Sequence, residues 1–373
     1  MYNSFYGSLR KNVVNPINDT KTINNVWIFH HTDADGYCSG AITYSALKNK
    51  LNKLALEIPE SNWHLIASDY NTKFVDFDII ENDIVAFVDL SFTLNTIWQL
   101  ENIYDVTSNI IWIDHHESDI DVLNKNEEID SITDEFTYCV IGGRANKYSA
   151  ALMCWAVFHD KEIEFAPEYV KLVSDWDTWT HELENSIYFN QYVNGVENYR
   201  LVSKDENNNL IIDVNSIWFK LENESNNLDE STLNKTPLLN LAIKTGKPIV
   251  EDQRIKNQRY LRSNGFETTL LGYNVLACNQ KSNSLLFGDK YNDYDIVCPF
   301  VLHERNGKLI YTYSLFSSNK DVNCRKIAEQ FGGGGHKGAA GFSTKINIFT
   351  CSKLRLKWEI FKNTKFKNKS TNK

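Results

Sequence analysis

Three short apolar runs in the first half of the chain each end in polar side chains. The runs span 26–29, 84–88 and 110–113, and they are rich in β-branched and aromatic residues. Runs of this length and composition predict strands that are buried on both faces, as in a parallel sheet. The segment 40–54 between the first two runs has helical character. Strands and helices therefore alternate, which predicts an α/β fold with a mostly parallel sheet.

Acids or histidines follow each predicted strand at its carboxyl end. Ligands of open α/β sheets bind just beyond the carboxyl ends of the strands, so we expect these side chains to converge on one cleft. The set is Asp33 and Asp35 after the first strand, Asp89 after the second, and Asp114, His115 and His116 after the third. A further contribution comes from the run SDWDTW, which follows a predicted helix at 167–173 and offers Asp175 and Asp177.

Carboxylates crowded into one cleft repel one another, and divalent cations relieve this repulsion. Aspartate and histidine ligands without a thiolate suit Mn²⁺ best, with Mg²⁺, Co²⁺ or Zn²⁺ next. Taken alone, a DxD sequence is usually a turn or helix cap, and a pair of histidines is usually structural. The threefold repetition of a strand followed by ligands favours two cations that share a bridging aspartate. This chemistry predicts metal-assisted hydrolysis of a phosphoester.

The second half of the chain has a different pattern. A stretch rich in Asn, Asp, Glu and Ser at 200–235 indicates a solvated surface segment or an interdomain linker. A helix is predicted at 238–262, and strand-like runs return over 266–346. A further helix at 322–331 leads into GGGGHKGAAGF. The pattern predicts a second, smaller α/β domain.

Four segments follow from these patterns. We expect a metal-binding catalytic domain at 1–190, a linker with connecting helices at 191–262 and a substrate-binding domain at 263–350. The basic residues from 351 to 373 are expected to form a flexible tail.

The glycine run before His336 and Lys337 has two interpretations. No Gly-Lys-Ser/Thr follows, so the run is not a Walker A loop. It fits the C-cap of a helix followed by a linker. Glycine also lets backbone N–H groups approach an anion closely, and the small residues at 339–341 suit close packing of strands. We favour a loop that holds a phosphate or a nucleotide.

Composition and charge narrow the class of protein. The 373 residues carry a net charge of −9 and are 42% hydrophobic, which excludes disorder over most of the chain. The first 200 residues hold 13 basic and 31 acidic residues, a net of −18, and the rest carry +9. An acidic half joined to a basic half favours cations on one side and anions on the other. The seven scattered cysteines contain no CxxC pair, which argues against disulfides or structural zinc.

No apolar run approaches the 18 or so residues that cross a bilayer, and the N-terminus lacks the apolar core of a signal peptide. We therefore expect a cytoplasmic protein with no membrane partner. The sequence leaves a homodimer open.

HTDADG, the strand end at Asp89, DHH and DTW, followed by GGGGHKGAAGF, resemble the DHH/DHHA1 phosphoesterase family over about residues 26–345. The HxDxDG and DTW variants are most similar to the nanoRNase branch, which degrades short oligoribonucleotides. The resemblance implies a DHH domain, a DHHA1 domain and a manganese-dependent phosphodiesterase that uses a two-metal-activated hydroxide. Other relatives hydrolyse cyclic dinucleotides, pAp, single-stranded DNA or polyphosphate, and these substrates remain alternatives. A non-catalytic nucleic-acid-binding module is less favoured because no acid of the ligand set is missing.

The resemblance also implies roles for the matching residues. Asp33 and Asp35 would each bind one of two Mn²⁺ ions, and Asp89 would bridge them. His115 would be a ligand, and Asp177 would complete the second site.

Further roles concern the substrate. Asp114 would orient His115, and His116 would face the phosphate or protonate the leaving group. The implied substrate-binding set in the second domain is Gly333, Gly334, Gly335, His336 and Lys337.

The chain departs from the family pattern at three positions. The usual ligand histidine lies four residues before the first aspartate, where this chain has Phe29, so His31 is preferred over His30. Either Asp175 or Asp177 could be the acid that completes the second metal site, and the neighbouring Thr and Trp favour Asp177. Phe316 stands in SLFS where many relatives carry an arginine that grips phosphate, and its ring could instead stack on a base.

Overall fold

The chain forms two compact units, residues 1–250 and 251–373. The computed structural model describes residues 10–13, 22–69, 72–142, 147–226, 236–281, 286–305, 307–335 and 337–349. The division into catalytic, linker and substrate-binding segments stays a prediction, since compactness alone does not assign a role.

The first unit is built around a six-stranded sheet in the order β1-β6-β5-β4-β2-β3. All neighbours are parallel except β1, which runs antiparallel to β6. The predicted parallel sheet is confirmed. Its strands are β1 (Arg10–Val13), β2 (Val26–His31), β3 (Trp63–Ser68), β4 (Ile84–Val88), β5 (Ile110–Asp114) and β6 (Tyr138–Ile141).

Helices follow most of these strands, and a small antiparallel hairpin of β7 (Val202–Lys204) and β8 (Leu210–Ile212) comes later. The long helix at Pro237–Asn264 has residues in both units. The helices are α1 (Ala34–Lys53), α2 (Trp98–Tyr104), α3 (Glu117–Lys125), α4 (Glu127–Ile132), α5 (Ala150–His159), α6 (Glu168–Asp177), α7 (Ser186–Val193), α8 (Ile217–Asn226) and α9 (Pro237–Asn264).

Successive residues of each central strand face opposite sides of the sheet, and both sides are covered. Ile28 packs with α1, α5, α6 and α8 on one side, and Phe29 packs with α2, α3 and α4 on the other. Every residue of β4 and β5 is buried, which explains their uninterrupted apolar sequence. Because α1 and α2 lie on opposite faces, the sheet changes winding direction between β2 and β4. A crevice beyond the carboxyl ends of these strands is the usual ligand site of such sheets.

One segment differs from the expectation of a solvated stretch at 200–235. The apolar residues Ile217–Phe219 begin α8, and Trp218 and Leu221 are fully buried in the same core as α1. Composition indicated a surface segment because polar residues outnumber the apolar ones there. The buried positions Ile217, Trp218, Leu221, Glu222 and Ser225 recur at helical spacing, so one face of the helix is buried although two of these residues are polar.

The second unit contains another six-stranded sheet, in the order β13-β14-β12-β11-β10-β9, with a short helix α10 (Cys324–Glu329) packed on β14 and β12. Only β10 and β11 are parallel. The expected second α/β domain is confirmed in this form. Its strands are β9 (Gly265–Leu270), β10 (Tyr273–Asn279), β11 (Ile296–Arg305), β12 (Lys308–Phe316), β13 (Gly334–Gly335) and β14 (Ala339–Thr344).

Within the described part of the chain, no helix combines the length and the apolar character needed to cross a membrane. The six cysteines described there are all buried, as expected for small core residues.

Candidate metal centre

The first acid of the HTDADG motif, Asp33, joins the end of β2 to the start of α1. Its Oδ1 atom accepts a hydrogen bond from the Gly36 backbone N–H at 3.0 Å, which caps the helix. Its Oδ2 atom lies 2.8 Å from Nδ1 of His31. Burial raises the pKa of Asp33, but the hydrogen bond and the charge of His31 outweigh it and hold that pKa well below its usual range.

The glycine of the same motif has a steric function. A Cβ atom at Gly36 would lie 2.4 Å from the backbone oxygen of His31. Only glycine therefore allows α1 to begin this close to the end of β2, which places Asp33 beside His31.

The second acid of the motif, Asp35, is 1% exposed and points toward the start of α5. Its two oxygens accept hydrogen bonds from the backbone N–H groups of Ala150 and Ala151, at 2.8 and 2.9 Å. Burial and the negative charge of Asp177 raise its pKa to about 8. The site therefore holds more negative charge than its own hydrogen-bond donors stabilise.

Asp89 follows β4 directly and has a left-handed backbone, with φ of 57°. That conformation costs a non-glycine residue about 1 kcal/mol. Its Oδ1 atom lies 3.4 Å from Nε2 of His115, and its Oδ2 atom lies 3.8 Å from Nδ1 of His31. This Oδ2 atom is buried and accepts no hydrogen bond within the described residues. Burial and the charges of Asp35 and Asp33 raise the pKa of Asp89 well above its usual range.

His115 lies among three carboxylates. Its Nε2 atom is 3.3 Å from Oδ2 of Asp177, 3.4 Å from Oδ1 of Asp89 and 3.9 Å from Oδ2 of Asp35. The ring is 1% exposed. His115 thus lies among acids from three parts of the chain: Asp89 directly after β4, Asp35 in the first turn of α1 and Asp177 at the end of α6.

Asp114 contacts a different histidine from the one implied by the family resemblance. Its carboxylate oxygens lie 2.9 and 3.1 Å from Nδ1 of His116, and Oδ2 accepts a hydrogen bond from Oγ of Ser91 at 2.8 Å. The carboxylate of Asp114 thus holds His116, and its expected role in orienting His115 stays a prediction. Burial raises the pKa of Asp114, but the charge of His116 and its hydrogen bond to the carboxylate hold that pKa well below its usual range.

The two adjacent histidines at the end of β2 have different surroundings. The His30 ring is 1% exposed, donates from Nδ1 to the backbone oxygen of His31 at 2.8 Å and packs on Tyr37. Burial lowers its pKa to about 4, so the ring is neutral. His31 contacts Asp33 and Asp89. Burial lowers the pKa of His31, but the hydrogen bond and charge of Asp33 outweigh this and raise it.

The two acids of SDWDTW, Asp175 and Asp177, also have different contacts. Oδ1 of Asp175 accepts hydrogen bonds from Oγ1 of Thr180 and from the Glu182 backbone N–H, both at 2.7 Å. Asp175 thereby holds the loop after α6, and it belongs to none of the described ligand groups. Asp177, the last residue of α6, faces His115.

The site contains three overlapping groups of side chains, and within each group the ligand atoms lie within 4.8 Å of one another. Oxygen and imidazole ligands without a thiolate fit a hard or borderline divalent cation. The buried Oδ2 of Asp89 and the raised pKa values of Asp35 and Asp89 show an excess of acid that such cations would neutralise. The groups are Asp89 with Asp114, His115 and His116; His31 with Asp33 and Asp89; and Asp35 with His115 and Asp177.

The glycine run of the second unit has a clear packing function. A Cβ atom at Gly333 would lie 2.1 Å from the backbone oxygen of Gly341 in β14. Gly332 has φ of 75° and closes the C-terminus of α10. The glycines thus close α10 and pack on β14, and a loop that holds a phosphate or a nucleotide stays a prediction.

The remaining substrate-binding residues stay predictions. Gly334 and Lys337 are exposed, and Gly335 has φ of 130°. His336 lies outside the described residues. Phe316 is half-buried at the end of β12, where it pairs with Ala339.

Two residues of the site were missed by sequence reasoning. Ser91 donates to Asp114, and buried Asp119 accepts a hydrogen bond from the Phe92 backbone N–H at 3.1 Å. Burial and the charge of Asp114 raise the pKa of Asp119 well above its usual range. Their only sequence signal was proximity to Asp89 and Asp114, which many surface residues share.

Comparison with known proteins shows what this chain is similar to. The chain is 23% identical over 334 residues to an uncharacterized protein of Acanthamoeba polyphaga mimivirus, and the match covers 86% of this chain and 67% of that protein. The structure is similar to the DHH domain of a member of a family of ribosomal proteins, with a TM-score of 0.51, 15% identity and coverage of 85% of this chain and 82% of that chain.

A match to a pGpG-specific phosphodiesterase from Vibrio cholerae covers 92% of this chain and 98% of that chain, at 12% identity and a TM-score of 0.41. Residues 25–173 match the DHH family, N-terminal domain. The span contains both histidine-aspartate motifs and ends four residues before Asp177. The similarity to this family therefore covers the part of the chain from β2 into α6.

Proposed function

We propose that this chain is a metal-dependent phosphodiesterase that hydrolyses short single-stranded oligoribonucleotides. The observation that carries the proposal is the position of Asp89. It belongs to two of the three ligand groups and lies between His31 and His115, at the switch point of a parallel sheet. A carboxylate shared by two groups is suited to bridging two cations.

The ligands divide into two sets around Asp89. His31 and Asp33 form one group with Asp89 and would hold one cation with it. Asp35, His115 and Asp177 would hold the other, and His115 links them to Asp89, since its Nε2 atom lies 3.4 Å from Oδ1 of Asp89. Mn²⁺ is the proposed ion, with Mg²⁺ or Co²⁺ as substitutes, because the ligands are carboxylates and imidazoles. Bound cations of this kind lower the pKa of a water nucleophile and neutralise charge on the phosphate.

His116 is the proposed proton donor to the leaving oxygen. Asp114 accepts a hydrogen bond from Nδ1 of His116, which fixes the orientation of the ring. The side chain of His116 is 15% exposed, so that it lies at the boundary between the buried ligands and the solvent. Ser91 holds Asp114 from the other side. This chain of contacts orients one acid group toward the place where a substrate would enter.

Charge supports a polyanionic substrate. The residues after 200 carry a net of +9, whereas the earlier part is acidic and would be neutralised locally by cations. We propose that the terminal nucleotide is held in the second unit by Gly333, Gly334, Gly335, His336 and Lys337. Cyclic dinucleotides and pAp share the same phosphoester chemistry, so they are the competing substrates.

A substrate panel tests the proposal. End-labelled RNA of two to five nucleotides, a cyclic dinucleotide and pAp are incubated with the protein and Mn²⁺, with a chelator in a parallel reaction. We expect mononucleotide release from the short RNAs, and none with the chelator. Faster hydrolysis of the cyclic dinucleotide or pAp would replace the proposed substrate. Binding of RNA without hydrolysis of any substrate, with Mn²⁺, Mg²⁺ or Co²⁺, would indicate the non-catalytic module instead.

A further inference from the structure

An aromatic cluster lies at the C-terminal end of α6 and on the loop that follows it. It consists of Trp176, Trp179 and His181. The ring centroids of the two tryptophans are 5.9 Å apart, and the His181 centroid lies 5.0 Å from that of Trp176 and 4.4 Å from that of Trp179. Both tryptophans are half-buried, and His181 is exposed. The cluster thus presents ring surface to the solvent.

The loop that carries Trp179 and His181 is held in a fixed conformation. The Asp175 carboxylate accepts hydrogen bonds from Thr180 and Glu182, and its backbone oxygen accepts from the Thr180 and His181 N–H groups at 3.1 and 3.4 Å. Trp179 and His181 have left-handed backbones, with φ of 60° and 51°. Bulky residues adopt this conformation rarely, and it persists where surrounding contacts impose it, often at ligand sites.

The cluster is joined directly to a proposed metal ligand. Trp176 precedes Asp177 and Trp179 follows it by two residues, and consecutive Cα atoms are about 3.8 Å apart. Oδ2 of Asp177 lies 3.3 Å from Nε2 of His115. The Cα atoms of both tryptophans therefore lie within about 8 Å of the Asp177 Cα atom. This distance is within the span of one nucleotide.

We infer that Trp176, Trp179 and His181 form a nucleobase-stacking subsite beside the metal centre. The inference rests on the proposed function, since it assumes that a nucleotide phosphate lies at the metal ligands. Every base has a flat π-face, so aromatic rings stack on bases with little sequence preference. Such stacking strengthens binding by roughly 5- to 150-fold per base. The subsite would make the protein select nucleotides over phosphoesters that lack a base.

The test compares two ligands that differ only in the base. Binding of AMP and of ribose 5-phosphate is measured by calorimetry in Mn²⁺ for the wild type and for Trp176→Ala and Trp179→Ala. We expect the wild type to bind AMP at least 10-fold more tightly, and each variant to reduce this ratio to within about 2-fold. Trp179→Tyr should restore most of the ratio. The matched control is Trp98→Ala, which removes a tryptophan that is 45% exposed on α2, on the other face of the sheet.

The ratio separates stacking from a structural role. If the tryptophans only support the loop, both ligands weaken together and the ratio is unchanged, which would overturn the inference. An equal affinity of the wild type for both ligands would overturn it as well. The ratio is independent of RNA hydrolysis. Loss of base preference in the variants, with no hydrolysis of short RNA by the wild type, would therefore support the subsite and contradict the proposed function.

Discussion

At the scale of single residues, histidine contacts divide the acids of the metal centre into two classes. Asp33 and Asp114 each contact a histidine through Nδ1, and their pKa values are held low. Asp35 and Asp89 are more deeply buried than Asp33, and burial together with neighbouring carboxylates raises their pKa values. The second pair therefore depends most on an added cation.

Asp89→Asn tests the bridging carboxylate. We expect phosphodiesterase activity to fall by more than about 100-fold, because loss of even an outer partner of a metal ligand costs 10- to 100-fold. Asparagine tolerates the left-handed backbone at this position, so the fold should be kept. The measurement is the initial rate on an RNA dinucleotide in Mn²⁺, with circular dichroism of both proteins.

The matched control is Asp105→Asn, which neutralises an exposed acid at the end of α2. It should leave the rate unchanged. Wild-type turnover in Asp89→Asn would contradict the two-metal mechanism.

At the scale of secondary-structure elements, close approach of α1 to β2 builds the site. Gly36 permits this approach, and Gly40 permits another, since its Cβ atom would lie 3.0 Å from the His30 ring. The left-handed residue Asp89 turns the chain directly after β4. These contacts bring the ends of β2 and β4 to one place without a long loop.

Gly36→Ala should show how much the site depends on that approach. The added Cβ atom would lie 2.4 Å from a backbone oxygen, so the chain must move, and we expect a loss of about 1–3 kcal/mol in the free energy of unfolding. Denaturant unfolding of the first unit measures it. Gly195→Ala is the control, because its nearest contact would be 3.4 Å away, and its expected effect is neutral or slightly stabilising.

In the Gly36→Ala variant, movement of α1 should also weaken the binding of Mn²⁺. Unchanged stability and unchanged Mn²⁺ affinity together would show that the contact between α1 and β2 is not needed.

At the scale of the whole molecule, the buried acids couple stability to pH and to cations. The pKa of Asp35 is raised to about 8, and those of Asp89 and His31 are also raised. A raised pKa gives stability that is complete below the unfolded pKa and is lost as pH rises through the folded pKa. The lowered pKa values of Asp33 and Asp114 change the stability of the protein only below about pH 4. The metal-free protein should therefore lose stability between about pH 6.5 and 8.

Mn²⁺ should reverse this loss, because the cation takes the place of protons on the same carboxylates. At 100 times its dissociation constant, it should stabilise the protein by about 3 kcal/mol. We expect the rise in unfolding temperature on adding Mn²⁺ to be larger at pH 8 than at pH 6.5. Calorimetric scans with Mn²⁺ and with a chelator measure it, and Asp89→Asn should reduce the effect. An equal or smaller rise at pH 8 would contradict the predicted linkage.

Some features followed from local pattern because their physical cause is local. The runs at 26–29, 84–88 and 110–113 predicted buried strands, since a strand covered on both faces has apolar residues throughout. Polar residues after those strands predicted where ligands gather, since parallel strands end at one edge. The core helix α8 was missed because a short apolar face is diluted by the Asn-rich residues around it.

The sequence by itself determined the α/β class, the acids and histidines at the strand ends, and the kind of cation they suit. Only the tertiary structure decided how they pair. It placed Asp114 on His116, gave Asp175 to the loop and turned Asp177 toward His115. These contacts join elements distant along the chain, so they depend on how helices and strands pack. Spacing along the chain carries no record of that packing.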